Sequence, residues 1–275
     1  MVDEAQTAER ESSRRRASER ASRRAFVAVA ALLFAASAAV TIIWCASMSA
    51  MRGMPMPGGW TMSMAWMRMP GQTWSAAAAA FLGMWVVMMV AMMLPSVVPM
   101  LLRYRQGLRA SDPSGVLTAL VSAGYALVWT VLGLAVYPVG AIFSVAAMRS
   151  AEFSRMAPVW AGLVVLLAGF IQLTPWKAGQ LRRCRNVPRC GRSLSSDARG
   201  ACEHGLRMGL HCIFCCFSYM TILLVTGVMN IGIMALLTVA ITAERLAPKP
   251  EWAARAAGVV TIASAIFMIA RAANT

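Results

Sequence analysis

Cys202, His204, Met208, His211, Cys212, Cys215, Cys216 and Met220 recur largely at intervals of three and four residues, which places most of them on one side of a helix. Both histidines of the chain lie in this run, and six of its seven cysteines fall between Cys184 and Cys216. Sulfur and imidazole ligands held together are the chemistry of a soft-metal site, because thiolate and thioether groups select Cu(I) over Mg or Ca. The competing account is packing, since a free cysteine behaves as a small buried hydrophobe. His211 and Glu244 lean toward function, because ionisable groups inside a bilayer are costly and generally mark a functional path.

A second sulfur-rich stretch precedes it. Met48, Met51, Met54, Met56, Met62, Met64, Met67, Met69, Met84, Met88, Met89, Met92, Met93 and Met100 are 14 of the chain's 22 methionines. A thioether is neutral at every pH, so it takes Cu(I) without a proton having to leave. Met54-Pro55-Met56 and Met62-Ser63-Met64 keep pairs of ligands within reach of one ion. Within the apolar part of the stretch the same side chains serve equally as adaptable core filler.

The elements that carry these residues are membrane helices. The 275 residues are 59% hydrophobic and 13% charged, against about 25% charged in a soluble domain, and mean hydropathy is +0.62. A crossing needs about 20 mostly apolar residues. Seven stretches qualify, near 26–46, 75–101, 116–148, 158–176, 208–228, 231–243 and 254–269, the sixth being short. The fold class expected is therefore all-α, a polytopic bundle of about seven helices over 25–275. Pro138 predicts a kink or an early end of the third.

Residues 1–24 form a polar, Arg-rich tail, expected to be disordered, and Ser22-Arg23-Arg24-Ala25-Phe26 resembles a twin-arginine export signal. The apolar run behind it exceeds an ordinary leader, so a retained anchor is preferred. Residues 48–74 read as a Met-rich external loop and 177–207 as a basic cytoplasmic loop containing Cys184 and Cys190. The formal charge of +15 lies between apolar runs rather than on one solvated face, which argues against nucleic acid as a partner. With the N-terminus inside, 21 of the 26 Lys and Arg residues are cytoplasmic, as the positive-inside rule requires. Trp44, Trp60, Trp66, Trp74, Trp176 and Trp252 then suit an interfacial belt.

In this topology the second and fifth spans run antiparallel, and at 1.5 Å per residue Met92 comes roughly level with Cys216, and Met88 with Met220. Cys184 and Cys190 are too far apart for a CxxC zinc knuckle, and Cys45 has no evident partner. Gly53, Gly58 and Gly59 lack the Gly-Lys-Ser/Thr of a phosphate loop. Neither a serine-nucleophile motif nor paired carboxylates support enzymatic chemistry.

Two stretches, 84–96 with its Met88-Met89-Val90-Ala91-Met92-Met93-Leu94-Pro95 core and 205–244 with His211-Cys212-Ile213-Phe214-Cys215-Cys216, Tyr219-Met220 and Gly227-Val228-Met229-Asn230, resemble the DUF2182 family of bacterial predicted metal-binding integral membrane proteins. Thr174-Pro175-Trp176-Lys177 fits that family's lead into its cytoplasmic loop. The resemblance covers 75 to the end and implies a helical membrane protein associated with metal, copper foremost. Phe214 and Phe217 depart from the family's usual glycine and tryptophan.

These readings converge on an inner-membrane, multi-pass protein that handles Cu(I). Its expected ligands are His204, His211, Cys212, Cys215, Cys216, Met220, Met84, Met88, Met92 and Met229, and its expected partners are the lipid bilayer, a soft metal ion and a copper-accepting protein. A thiol-disulfide oxidoreductase, with Arg207 as the cation nearest its thiols, or a non-catalytic assembly subunit are the alternatives.

Overall fold

In hydrocarbon every backbone N–H and C=O must find its partner inside the segment, so long apolar runs become helices. The computed structural model of the chain describes residues 2–50, 53–68, 71–108, 114–186 and 197–273. Cys190, Met51 and Met69 lie outside them. Among the described residues the helices are α1 (Val2–Ala50), α2 (Trp74–Gln106), α3 (Ser114–Arg149), α4 (Ala151–Leu173), α5 (Pro175–Asn186), α6 (Ala198–Thr226), α7 (Ile231–Leu246) and α8 (Pro250–Ala273).

The all-α bundle stands, with eight helices in place of about seven. Six of them, all except α5 and α7, are long and apolar enough to cross a membrane, the make-up of a multi-pass membrane protein. At 16 residues α7 is about 24 Å long, short of the roughly 30 Å hydrocarbon core. The segment expected as a loop over 177–207 is helical at both ends, as α5 and the first turns of α6. The tail is helical in the structure, continuing α1 from Val2. Its Ala, Glu and Arg residues are good helix formers, and the apolar span beyond supplies the nucleus. Pro138 does not end α3, which runs on to Arg149.

Polar caps set the helix starts. Thr73 Oγ1 accepts from Ala76 N, Ser150 Oγ from Phe153 N and Asn230 Oδ1 from Ile233 N, which begins α2, α4 and α7.

The Met-rich segment is more than a loop. It folds into a hairpin, β1 (Met54–Met56) paired antiparallel with β2 (Trp60–Met62), followed by a 3₁₀ turn at Met64–Trp66. Gly58 and Gly59, at φ +98° and +73°, make the turn. Trp60 Nε1 donates to the Ser154 carbonyl at 2.9 Å, and Ser154 Oγ donates to the Pro57 carbonyl at 2.9 Å, which fastens the hairpin over the junction of α3 and α4. Trp66 lies on Gly140, where a Cβ would come within 2.2 Å of its ring. Two tryptophans expected in the interfacial belt, Trp60 and Trp66, are therefore packing residues, while Trp74, Trp176 and Trp252 are exposed. Met56 and Met62 are buried against Ala147.

Close helix contacts hold the bundle. Lipid gives apolar helices no reason to prefer each other, so small residues that admit a neighbouring backbone decide the pairing. On α6, Gly205 faces the Val121 carbonyl oxygen of α3, 2.2 Å from where its Cβ would stand, and Gly209 faces Val128. Gly162 and Gly169 of α4 likewise admit Ile269 and Ile262 of α8. At one end of the α1–α2 pair Arg105 donates to Ser22 Oγ and covers the Phe26 ring, and toward the other end Trp44 meets Gly83. We expect Gly205→Ala to lower stability by about 1–3 kcal/mol, because a backbone carbonyl cannot swing aside. An unchanged melting temperature in detergent would contradict this.

Candidate metal centre

The helical period of α6 sorts its side chains. Cys212, Cys215 and Cys216 are at most 1% exposed, whereas Leu210, Phe214 and Phe217 are each 50% exposed on the other face. Phe214 and Phe217, the two departures from the family pattern, point away from the thiols. Close approach is made on the opposite side by Gly205 and Gly209.

Three other helices meet those thiols, and a fourth reaches them through Arg245. From α3, the Tyr125 hydroxyl lies 3.0 Å from Cys212 Sγ. From α5, buried Cys184 stands beside Cys215, so that Cys184, Cys215, Cys216 and Cys212 are successive neighbours. From α7, one Arg245 nitrogen donates to Cys212 Sγ at 2.7 Å and to Cys216 Sγ at 3.3 Å. Its other terminal nitrogen donates to Ser96 Oγ of α2 at 3.1 Å. A helical side chain leans toward its own N-terminus, which carries Arg245 from the last turn of α7 into the bundle.

A second polar cluster lies against the first. Lys177 Nζ, fully buried, pairs with Glu244 Oε2 at 2.9 Å, donates to the Cys215 carbonyl at 2.7 Å and sits over the Tyr219 ring at 4.8 Å. The Tyr219 hydroxyl donates to Glu244 Oε1, as does Gln172 Nε2. The cation count is uneven. Lys177 has its carboxylate, but among the described residues no carboxylate pairs with Arg245, which is 5% exposed and whose Nε has no hydrogen-bond partner. Burying an uncompensated guanidinium costs several kcal/mol, and the hydrogen bonds of Arg245 among the described residues go to Ser96 and the two sulfurs. Arg207, the cation that a thiol-exchange reading leans on, is instead exposed and paired with Glu203.

The expected ligands divide. Cys212, Cys215 and Cys216 lie together on the buried face of α6. Met84, Met88, Met92 and Met220 are 1–5% exposed and belong to the same continuous core as the thiols. The side chain of α2 that reaches the site is Ser96, one turn beyond Met92. His211 is only half-buried. His204 lies two turns before Cys212, stacked on Tyr104 at 5.1 Å with its Nε2 buried and unpartnered. Met229 is in the turn after α6, its sulfur 3.8 Å from Cys45 Sγ. Among the described residues all six cysteines are free, and no three His, Cys, Asp or Glu side chains form a ready metal-binding set. The thiols are engaged with Tyr125 and Arg245 instead.

The sequence reading missed Arg245, Lys177, Tyr125 and Ser96, and placed Cys184 in a cytoplasmic loop rather than beside the thiols of α6. Glu244-Arg245 at the close of a short apolar run was the available signal.

A family model described as PpoB2, copper chaperone, matches residues 82–268. This span includes α5, α6 and α7 and about three quarters of α2. Comparison with curated proteins and with solved structures returns no match.

Proposed function

The chain belongs to the PpoB2 copper chaperone family, and from that premise we propose that it takes up Cu(I) as cargo on Cys212 and Cys216, with Arg245 balancing the charge. The observation that carries this reading is the buried guanidinium donating to both sulfurs without a carboxylate of its own. Two thiolates around one monovalent ion make a unit of charge −1, and Arg245 cancels it. A divalent ion in the same pair of thiolates would leave the guanidinium uncompensated, so charge and softness both favour Cu(I). Cys215 and Cys184 extend the sulfur line toward α5 and the basic segment beyond, the side from which a copper-accepting protein would draw the ion.

Cys216 lies ten residues before the end of α6, about 15 Å from the turn that follows. With the N-terminus in the cytoplasm of a cell with an inner membrane, as the distribution of Lys and Arg favours, the site lies below the outer turns and toward the inner side. The motifs that resemble the DUF2182 family fall within the matched span, and we take both to describe one helical unit. The buried α2 methionines complete the reading as a soft lining that binds the ion loosely.

Arg245→Gln tests this. Outer groups that orient and charge-balance metal ligands typically govern 10- to 100-fold in affinity, and we expect a loss of about that size, with Arg245→Lys in between. Affinity is read by competition with a Cu(I) chelator at fixed pH. Wild-type affinity in Arg245→Gln would overturn the charge-balance reading.

A further inference from the structure

Cys45 is 2% exposed in α1, and its thiol lies 3.8 Å from the Met229 sulfur in the turn between α6 and α7. The two residues are 184 apart in sequence, so the contact is made by the fold and not by local spacing. We propose that Cys45 and Met229 form a second soft-metal site, separate from the Arg245 thiols, which receives Cu(I) before it reaches them. The proposal rests on Cu(I) being the cargo of this chain.

Three observations support it. First, the donor set suits its surroundings. One thiolate and one neutral thioether around a monovalent ion give a complex of zero net charge, the cysteine proton passing to water as the ion arrives. Among the described residues no charged side chain hydrogen-bonds to either sulfur, and a neutral complex needs none. The inner pair of thiolates makes an anion, and there the fold supplies Arg245.

Second, a line of thioethers shares the core with Cys45. Trp44, next to Cys45, meets Gly83 of α2, and the residue after it begins the series Met84, Met88 and Met92 at intervals of one helical turn. All three are at most 5% exposed and share one core with Cys45, Cys212 and Cys216. From Gly83 to Ser96, which touches Arg245, is about 20 Å along α2.

Third, the pair lies at the end of the bundle where the Met-rich hairpin is fastened. Met48 is half-buried one turn beyond Cys45 on α1, and Trp66, in the turn that follows the hairpin, packs tilted against Phe81 of α2 at 5.0 Å.

The experiment counts ions bound to the full-length protein in detergent by native mass spectrometry, with Ag(I) as a redox-inert stand-in for Cu(I) and Cu(I) in parallel. The Cys212→Ser/Cys216→Ser variant is expected to lose one ion and keep another. Adding Cys45→Ser or Met229→Leu to it should remove the second, whereas Met229→Cys should retain it. In the otherwise wild-type chain, Met229→Leu should lower the count by one and leave the inner site filled. If Cys45→Ser and Met229→Leu both leave the count unchanged in either background, the second site does not exist, and the inner site stands. If the Cys212→Ser/Cys216→Ser variant loses nothing, the reading of the inner site fails instead. X-ray absorption of Cu(I) bound to the Cys212→Ser/Cys216→Ser variant should show only sulfur ligands, and a nitrogen- or oxygen-dominated shell would also overturn the assignment.

Discussion

Serine in place of both Cys212 and Cys216 is expected to weaken Cu(I) binding at the inner site more than a hundredfold, about 2.7 kcal/mol or more, while leaving the fold intact. A hydroxyl is a hard ligand and a poor match for a soft cation. Serine is also close to cysteine in shape, and Arg245 can donate to a hydroxyl as it does to the two sulfurs, so the bundle loses little packing. Because the two residues act on one ion through one guanidinium, the single variants should each cost nearly as much as the double, the pattern of coupled neighbours. Cys202→Ser, at a half-buried position outside this network, serves as the control and should bind as wild type. Chelator competition for affinity and circular dichroism for the fold decide the matter. A double variant with unimpaired inner-site affinity would hand the ion to the thioethers of α2.

Lys177→Met alone should destabilise the protein by about 3–5 kcal/mol, the size expected when one member of a buried ion pair is removed. The pair is fully enclosed, at 0% and 2% exposure, and its loss would leave the Glu244 carboxylate with only the neutral donors Tyr219 and Gln172. It would also strip a donor from the Cys215 carbonyl, so the damage reaches the thiol helix. Lys177→Met combined with Glu244→Gln should recover most of the stability, since no uncompensated charge then remains buried. By contrast, the exposed pair Arg182–Glu251 is 64% and 48% accessible, and breaking it should change stability by no more than about 1 kcal/mol. Unfolding midpoints in detergent measure all three. Equal midpoints for Lys177→Met and the double variant would show that the ion pair is not the source of the loss.

Part of the centre was legible before any coordinates, because helical periodicity is a local property. The spacing of Cys212, Cys215 and Cys216 fixes them to one face, and a run of apolar residues around them fixes that face as buried. The hairpin was less so. Its glycines and prolines read as irregular chain, and only the contacts of Trp60 and Trp66 with α3 and α4 turn it into a packed cover. Lys177 and Arg245 were hidden by a rule that is otherwise sound. Counting Lys and Arg to orient a membrane protein treats each as facing water, which is true of most of them here. The short α7 brings its last turn inside the bundle and carries Arg245 with it, and α5 does the same for Lys177 and Cys184.

Composition and periodicity thus determined, by themselves, that this chain folds as membrane-compatible helices with a thiol-bearing face on α6 and a thioether-rich α2. Only the tertiary structure decided which charges lie beside those sulfurs, that His204 stacks on Tyr104, and that Cys45 meets Met229. The division has one physical cause. Helix formation and face assignment depend on residues within a turn or two of each other, whereas a charge balance is struck between elements far apart in sequence, and no local pattern records where α7 ends relative to α6.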